Sequence, residues 1–522
     1  MSITDQLKLL DTIVVTSEQM REIEARIFTK GMPVAALMEK VAILLAHRIQ
    51  KIYPLFKTLR IGVLVGPGHN GGDALVIARE LYLQGYEICL YRPFSRSKEL
   101  TLQHANYAHH LGIPCYQEIE YLEECELIVD GLFGFGLTRA LSGNLARVVD
   151  SINKKNVPVI SIDVPSGLHT DTGEVLGTAI KATYSFCLGL WKQVYFQDQA
   201  LDYIGKAERI DFGILPQDIC GIIPKNIPIK RINPILARQF LPLPRPVLTH
   251  KYKQGHLLLI CGSRRYAGGS ILTGLGARSS GVGMLSIAVP ESLKPLLVSQ
   301  LPDALIIECP ETKTGAIAQL PPLAMAFDNY DVIACGPGLT LEAKFVVEQV
   351  LKAPCPLVLD ADGLNILATK SGTMNTLSKK NNPTVLTPHL GEFKRLFPYI
   401  EHPDKDRIAA VRAAAQTSGM IILFKGAKTV VADPNGHVWL IPESTPALAR
   451  GGSGDILTGL IGGLLGQTAS SFHEKEIDEG GIVATAALWH SQAAILAAKE
   501  RTELGVDAVT LSNYLNQVDW NN

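Results

Sequence analysis

The stretch Ile61–Gly85, IGVLVGPGHNGGDALVIARELYLQG, runs from an apolar segment through a turn holding Gly66, Gly68 and Gly71 into a helical pattern. Glycines spaced G-x-G-x-x-G between strand and helix are the signature of a dinucleotide phosphate loop. There the pyrophosphate sits on free N–H groups of the helix, and an acid about 20 residues on meets the ribose. Two features disagree. Asp73 would place a carboxylate beside the phosphates, and the next strand ends YEICLYRPF, with Tyr91 and Arg92 where the acid belongs. Arg92 suits a 2′-phosphate, but Asp73 still stands against the dinucleotide reading. The stretch predicts a strand, turn and helix at the carboxyl edge of an open α/β sheet, with Asn70, Gly71, Gly72 and Asp73 forming a polar turn in the ligand crevice. Glycines that serve only a tight turn are the alternative that the fingerprint alone leaves open.

Before this stretch a helical pattern starts at Thr16 or Ser17. After it, YEICLY, CELIVDGLFG and VPVISIDVPSG alternate with helical segments, the pattern of βαβ units in a mainly parallel sheet. Between Asp211 and Gly255 the periodicity fails and prolines accumulate. A second alternating series follows: GHLLLICGS, VGMLSIAVP, YDVIACGPG, CPLVLDADG, PTVLTPH and GMIILFKGAKTVVAD. A chain of 522 residues is too long for one core. Two α/β domains are expected, at 1–230 and 231–522.

Lys and Arg total 49 against 50 Asp and Glu, with no long basic run, so neither nucleic acid nor a membrane is expected as partner. The apolar stretch Ile456–Gly466, ILTGLIGGLLG, is about half the length that crosses a bilayer and is expected to form a buried helix in tight contact with its neighbours. Nine scattered cysteines without C-x-x-C, and an N-terminus without signal-peptide character, predict reduced thiols in a cytoplasmic protein.

Further strand ends in the first half carry oxygen ligands. ELIVDGLFGFGL puts Asp130 at a strand end before a Gly-Phe-Gly loop, and ISIDVPSG puts Asp163 and Ser166 at the next. Convergence of Asn70, Asp130, Asp163 and Ser166 on one rim suits a cation or a proton-transfer site. GPGHNGGDALVIAR, VDGLFGFGL and IDVPSG, preceded by LMEKVA, resemble the YjeF N-terminal domain of the NAD(P)H-hydrate epimerases. The resemblance covers about Val15 to Ile214. It implies a Rossmann-like three-layer sandwich that binds a hydrated nicotinamide cofactor and equilibrates its R and S epimers.

That resemblance places a potassium ion on Asn70, Asp130 and Ser166. It places the substrate against His69, Asn70, Gly71, Gly72, Asp73, the loop Gly134, Phe135, Gly136, Leu137, Thr138, Arg139 and Ala140, and Asp163, the expected general base. Many relatives have Asn at the positions of His69 and Lys40; neither change touches the residues expected to bind potassium.

In the second half, ARGGSGDILTGLIGG opens a helix, so that Gly451, Gly452 and Gly454 free backbone N–H groups beside Asp455. Backbone donors next to a carboxylate can stabilise a transferring phosphoryl group and take the proton of an attacking hydroxyl. There is no Walker motif, G-x-x-x-x-G-K-[ST], and Gly-x-Gly-Asp resembles the ribokinase-like superfamily. LDADGLNIL adds Asp360 and Asp362, LTPHLGEFKRL adds His389 and Glu392, and LFKGAKTVVAD adds Lys425 and Lys428. A lysine after a strand can reach a nucleotide phosphate as a point charge.

In order, GSRRYAGG, CGPGL, LDADGLN, TPHLGEF, KGAKT and GGSGD resemble the NAD(P)H-hydrate dehydratases over about Gly255 to Leu515. The resemblance implies substrate contacts at Gly269, Gly338, His389 and Asp455, and nucleotide contacts at Lys425, Gly426, Ala427, Lys428, Thr429 and Gly454. Asp455 is the expected catalytic base, and Mg2+ the expected metal. The approach ESTPALARGG departs from the family's usual T-G-N-P-G.

The two resemblances together imply a bifunctional metabolite-repair enzyme with ADP as phosphoryl donor and small-molecule substrates. A homo-oligomer is expected. Two rivals stay open: a ribokinase-like kinase of small hydroxylated metabolites, and an N-terminal half that serves as a binding or scaffold module.

Overall fold

The helical pattern after Val15 resolves into two helices, Ser17–Thr29 and Val34–Ile52. Thr16 caps the first in a box with Gln19, satisfying two orphan donors reciprocally. The computed structural model describes residues 10–224, 229–369, 377–378, 380, 382–471 and 478–520. Contacts divide the chain into two units, 1–227 and 228–522. The strand Ile229–Arg231, which spans the break expected at 230/231, pairs with Val438–Leu440 of the second unit.

The first unit is built on a seven-stranded sheet. Its spatial order is Cys115–Tyr116, Glu87–Tyr91, Arg60–Val65, Leu127–Gly131, Val159–Ile162, Tyr184–Leu188 and Lys206–Ile210, all parallel. Alternate residues feed opposite faces. Val63 and Val65 join one apolar cluster with the helices at 17–29, 34–52 and 69–83, whereas Leu64 joins another with Val148, Val149 and Ile152. That is a three-layer sandwich. Strand order reverses between Arg60–Val65 and Leu127–Gly131, which opens the crevice at their carboxyl ends.

The second unit has a ten-stranded sheet with the same reversal, between His256–Ile260 and Val332–Cys335. Only the pairings of Val430–Ala432 with its two neighbours are antiparallel. The glycine-rich stretch lies in the helix Ser453–Ser471, packed against Ala267–Ser280. A Cβ on Gly276 would lie 2.0 Å from the Ile456 carbonyl oxygen, and one on Gly459 would lie 1.9 Å from that of Thr273. The helices touch backbone to backbone there, and Gly459→Ala is expected to cost about 3 kcal/mol as the pair is forced apart. Thermal or denaturant unfolding of the second unit checks this; an unchanged midpoint contradicts it. One helix, Glu479–Arg501, is long and apolar enough to cross a membrane, but 72% of its apolar window is buried inside the protein, as in a core helix.

Candidate active sites

In the first unit the turn that opens the helix His69–Leu83 passes close under the next strand. A Cβ on Gly66 would fall 1.8 Å from the Leu132 carbonyl oxygen, and one on Gly71 would fall 1.9 Å from that of Gly66, so only glycine fits. This places His69, Asn70, Gly71, Gly72 and Asp73 in the helix's first turn, at the reversal of strand order.

Asp130 is fully buried and accepts from the Ser166 hydroxyl at 2.6 Å, the Ser166 N–H at 2.9 Å, the Ser161 hydroxyl at 2.8 Å and the Leu132 N–H at 3.2 Å. Burial nevertheless pushes its carboxyl pKa up. The Asn70 amide nitrogen is buried without a partner.

Asp163 sits across the crevice with φ of +68°, a left-handed conformation that costs energy and tends to persist at functional sites. Three partners fix it. Its N–H donates to Phe186 at 2.9 Å, the Tyr195 hydroxyl donates to its carbonyl, and its Oδ2 accepts from the Phe135 N–H at 3.0 Å. Its Oδ1 meets Lys192 Nζ at 2.6 Å, the two side chains being 3% and 1% exposed. Burial works against the Lys192 ammonium, but the Asp163 charge outweighs it and lifts its pKa. A Cβ on Gly134 would lie 3.1 Å from Asp163 Oδ2 and 3.3 Å from Asn70 Oδ1, so the Gly-Phe-Gly loop bridges the two strand ends. Of that loop, Leu137 turns its side chain into the core, while Gly136, Thr138, Arg139 and Ala140 are exposed.

Asp73 raised an objection from the sequence because a carboxylate would repel phosphates. Burial, aided by the charges of Glu24 and Asp163, pushes its pKa well above the usual range. A protonated acid raises no such repulsion.

In the second unit a cavity of about 820 Å³ lies at the strand reversal, lined among others by Gly269, Gly338, Thr340, Asp362, Gly452 and Asp455. A Cβ on Gly269 would stand 3.6 Å from Asp455 Oδ2 and 3.5 Å from the Gly338 nitrogen, so these three predicted residues meet. Burial, with the Asp360 charge, raises the Asp455 carboxyl to about 7, a value suited to a base near neutral pH. His490, pushed down to about 4 by burial, is neutral and places Nε2 2.9 Å from the Ser453 carbonyl oxygen, bracing the helix start.

Lys425 Nζ lies 2.8 Å from Asp360 Oδ1, and Thr458 donates to Asp360 Oδ2 at 2.7 Å. Much of the lysine's charge is thus met within the protein. A Cβ on Gly454 would stand 3.5 Å from Lys425 Nζ, which keeps the ammonium beside the glycine loop. Gly426 and Ala427 are exposed, Thr429 donates to the Gly426 carbonyl at 3.3 Å, and Lys428 donates to the Pro442 carbonyl. His389 is not among the residues lining the cavity. It caps the helix Leu390–Leu396, its Nδ1 accepting from the Gly391 N–H at 3.0 Å.

Lys192, Tyr195 and Glu24 were not singled out from the sequence. A lysine inside the apolar, aromatic run FCLGLWKQVYF was the available signal for the first.

The first unit thus presents a Rossmann-ordered crevice with a fixed carboxylate, and the second a ribokinase-like α/β site with a base at a glycine-rich helix start. A family model described as YjeF-related protein N-terminus matches residues 34–194, and one described as NAD(P)H-hydrate dehydratase matches residues 257–517. The chain is 53% identical to the bifunctional NAD(P)H-hydrate repair enzyme Nnr of Synechocystis sp., over 96% of this chain and 94% of the relative. It is 50% identical to the enzyme of that name from Thermosynechococcus vestitus, over 94% of each. Among solved structures, the ADP/ATP-dependent NAD(P)H-hydrate dehydratase from Bacillus subtilis, co-crystallised with ATP/Mg2+, is 34% identical; it covers 55% of this chain and 95% of its own, with a TM-score of 0.46. The chain belongs to the bifunctional NAD(P)H-hydrate repair enzyme family.

Proposed function

We propose that the first unit interconverts the R and S epimers of hydrated NADH and NADPH, and that the second dehydrates the S epimer at the expense of ADP, giving AMP and phosphate. The observation that carries the dehydratase reading is Asp455, a carboxyl poised near neutrality in a cavity walled by glycine loops. Hydroxide is a poor leaving group and phosphate a good one. Asp455 takes the proton of the substrate hydroxyl as that oxygen attacks the terminal phosphorus of the nucleotide. N–H groups at the start of the helix Ser453–Ser471 and the Lys425 ammonium stabilise the transferring group. Phosphate then departs with the electron pair of the C–O bond while the ring nitrogen supplies its own.

Among the described residues no three His, Cys, Asp or Glu form a metal cage. Mg2+ usually rides on substrate phosphates with one or two carboxylates, and Asp362 and Asp455 offer such ligands on the cavity wall. In the first unit, Asn70, Asp130 and Ser166 fit a potassium ion: a buried carboxylate lacking a cationic partner, a hydroxyl, and an amide with a buried unpartnered end. There the ion would supply the positive charge that buried Asp130 lacks. The reading includes the cytoplasm, which nine free thiols suit, and assembly as a homo-oligomer, which light scattering tests.

The pH dependence tests Asp455 as base. Its working form is the carboxylate, so the rate constant for dehydration at low substrate is expected to fall about tenfold per pH unit below 7, the value of its raised pKa. A profile flat through this range contradicts the assignment.

A further inference from the structure

The family match to the first unit begins at residue 34, yet the segment before it reaches the site. Val14–Val15 pairs in parallel with Trp191–Lys192, and Val15 is in register with Lys192. The N–H and hydroxyl of Ser17 bind the Asp171 carboxylate at 2.7 and 3.0 Å, stapling the helix Ser17–Thr29 to the loop that follows Asp163. Met20 and Ile23 bury in the core, and Glu24 follows them.

We propose that the segment Val14–Thr29 completes the epimerase site: its strand braces Lys192, which positions the Asp163 carboxylate, and its helix supplies Glu24 as a second proton-carrying carboxyl. This rests on the first unit being an epimerase. The groups whose charges act on Glu24 are Lys192 on the braced strand, Asp163 after its strand, Lys98 before the helix Glu99–His110 and Arg21 on its own helix; Glu24 and Asp163 in turn act on Asp73. Three carboxyls sharing a water-poor site cannot all be ionised. Lys192 stabilises the charge of Asp163 through the 2.6 Å contact. Asp73 stays protonated, and burial raises Glu24 to about 7, so that it can give and take a proton.

Inversion at a carbon bearing both a hydroxyl and the ring nitrogen calls for such a pair. Asp163 takes the hydroxyl proton as the C=O bond forms and the C–N bond breaks. The electron pair released to nitrogen takes the proton of Glu24. The freed carbonyl turns its other face, and reclosure returns both protons, leaving enzyme and atom count unchanged.

The test uses the full chain with Glu24→Gln, Lys192→Met and Lys192→Arg. It follows epimerisation kcat and KM against pH, with dehydration of the pure S epimer as the check on folding. Glu24→Gln is expected to lower kcat about 100-fold with KM little changed, and to remove the ionisation near pH 7 from the profile. Lys192→Met is expected to lower kcat and shift the remaining ionisation upward, with Lys192→Arg restoring part of both; if the Met variant does not fold, Glu24→Gln decides. A Glu24→Gln enzyme with wild-type kcat and profile overturns the inference while leaving the epimerase reading intact. A wild-type chain without epimerisation overturns that reading and the inference with it.

Discussion

Asp455→Asn is expected to lower dehydration of the S epimer by about 10²–10⁴-fold, the usual worth of a positioned general base, while epimerisation proceeds at the wild-type rate. The two activities are assigned to different units, each with its own sheet and core, so the loss should be confined to one. The variant should also be no less stable than the parent. Asp455 binds its proton more tightly in the folded chain than in the unfolded one, so as pH rises from the ordinary carboxylate range toward 7 its ionisation subtracts from stability. Asn carries no such cost. Parallel assays of both reactions with a melting curve check all three statements, and equal loss of both activities in folded protein defeats the two-site assignment.

Asp163→Asn is expected to do the reverse, removing epimerisation and sparing dehydration. It also has a structural consequence. Lys192 is 1% exposed and would be left charged without its carboxylate, a loss worth about 3–5 kcal/mol in comparable buried pairs. The double variant Asp163→Asn/Lys192→Met removes both charges and is expected to recover much of that stability without recovering epimerisation. If the double variant regains activity, Asp163 is not the base; if it is no more stable than the single, the pair is not the buried contact described.

Much of both sites was legible because open parallel sheets place ligands at strand ends where their order reverses. Asn70, Asp130 and Asp163 stand at such ends, and Gly269, Gly338 and Asp455 converge likewise. Electrostatic states were not legible, since they depend on burial and on partners distant in sequence. Asp73 read as a repelling carboxylate until its burial beside Glu24 and Asp163 showed a protonated acid. Lys425 read as a free cation, although Asp360, 65 residues earlier, meets it at 2.8 Å. Glu24 was one of several charges on an amphipathic helix, and only the fold shows which of them lies near Lys192. His389 had no signal separating a ligand-binding histidine from the helix cap it makes.

The most direct measurement follows the near-ultraviolet absorbance of reduced nicotinamide after the chain is added to a mixed-epimer hydrate, with ADP, with ATP and with neither. The account predicts that ADP alone supports conversion of the whole mixture, beyond its S fraction and faster than the epimers interconvert unaided. Absence of reduced cofactor with either nucleotide, in folded protein, contradicts it and brings forward a kinase that releases a stable phosphorylated product.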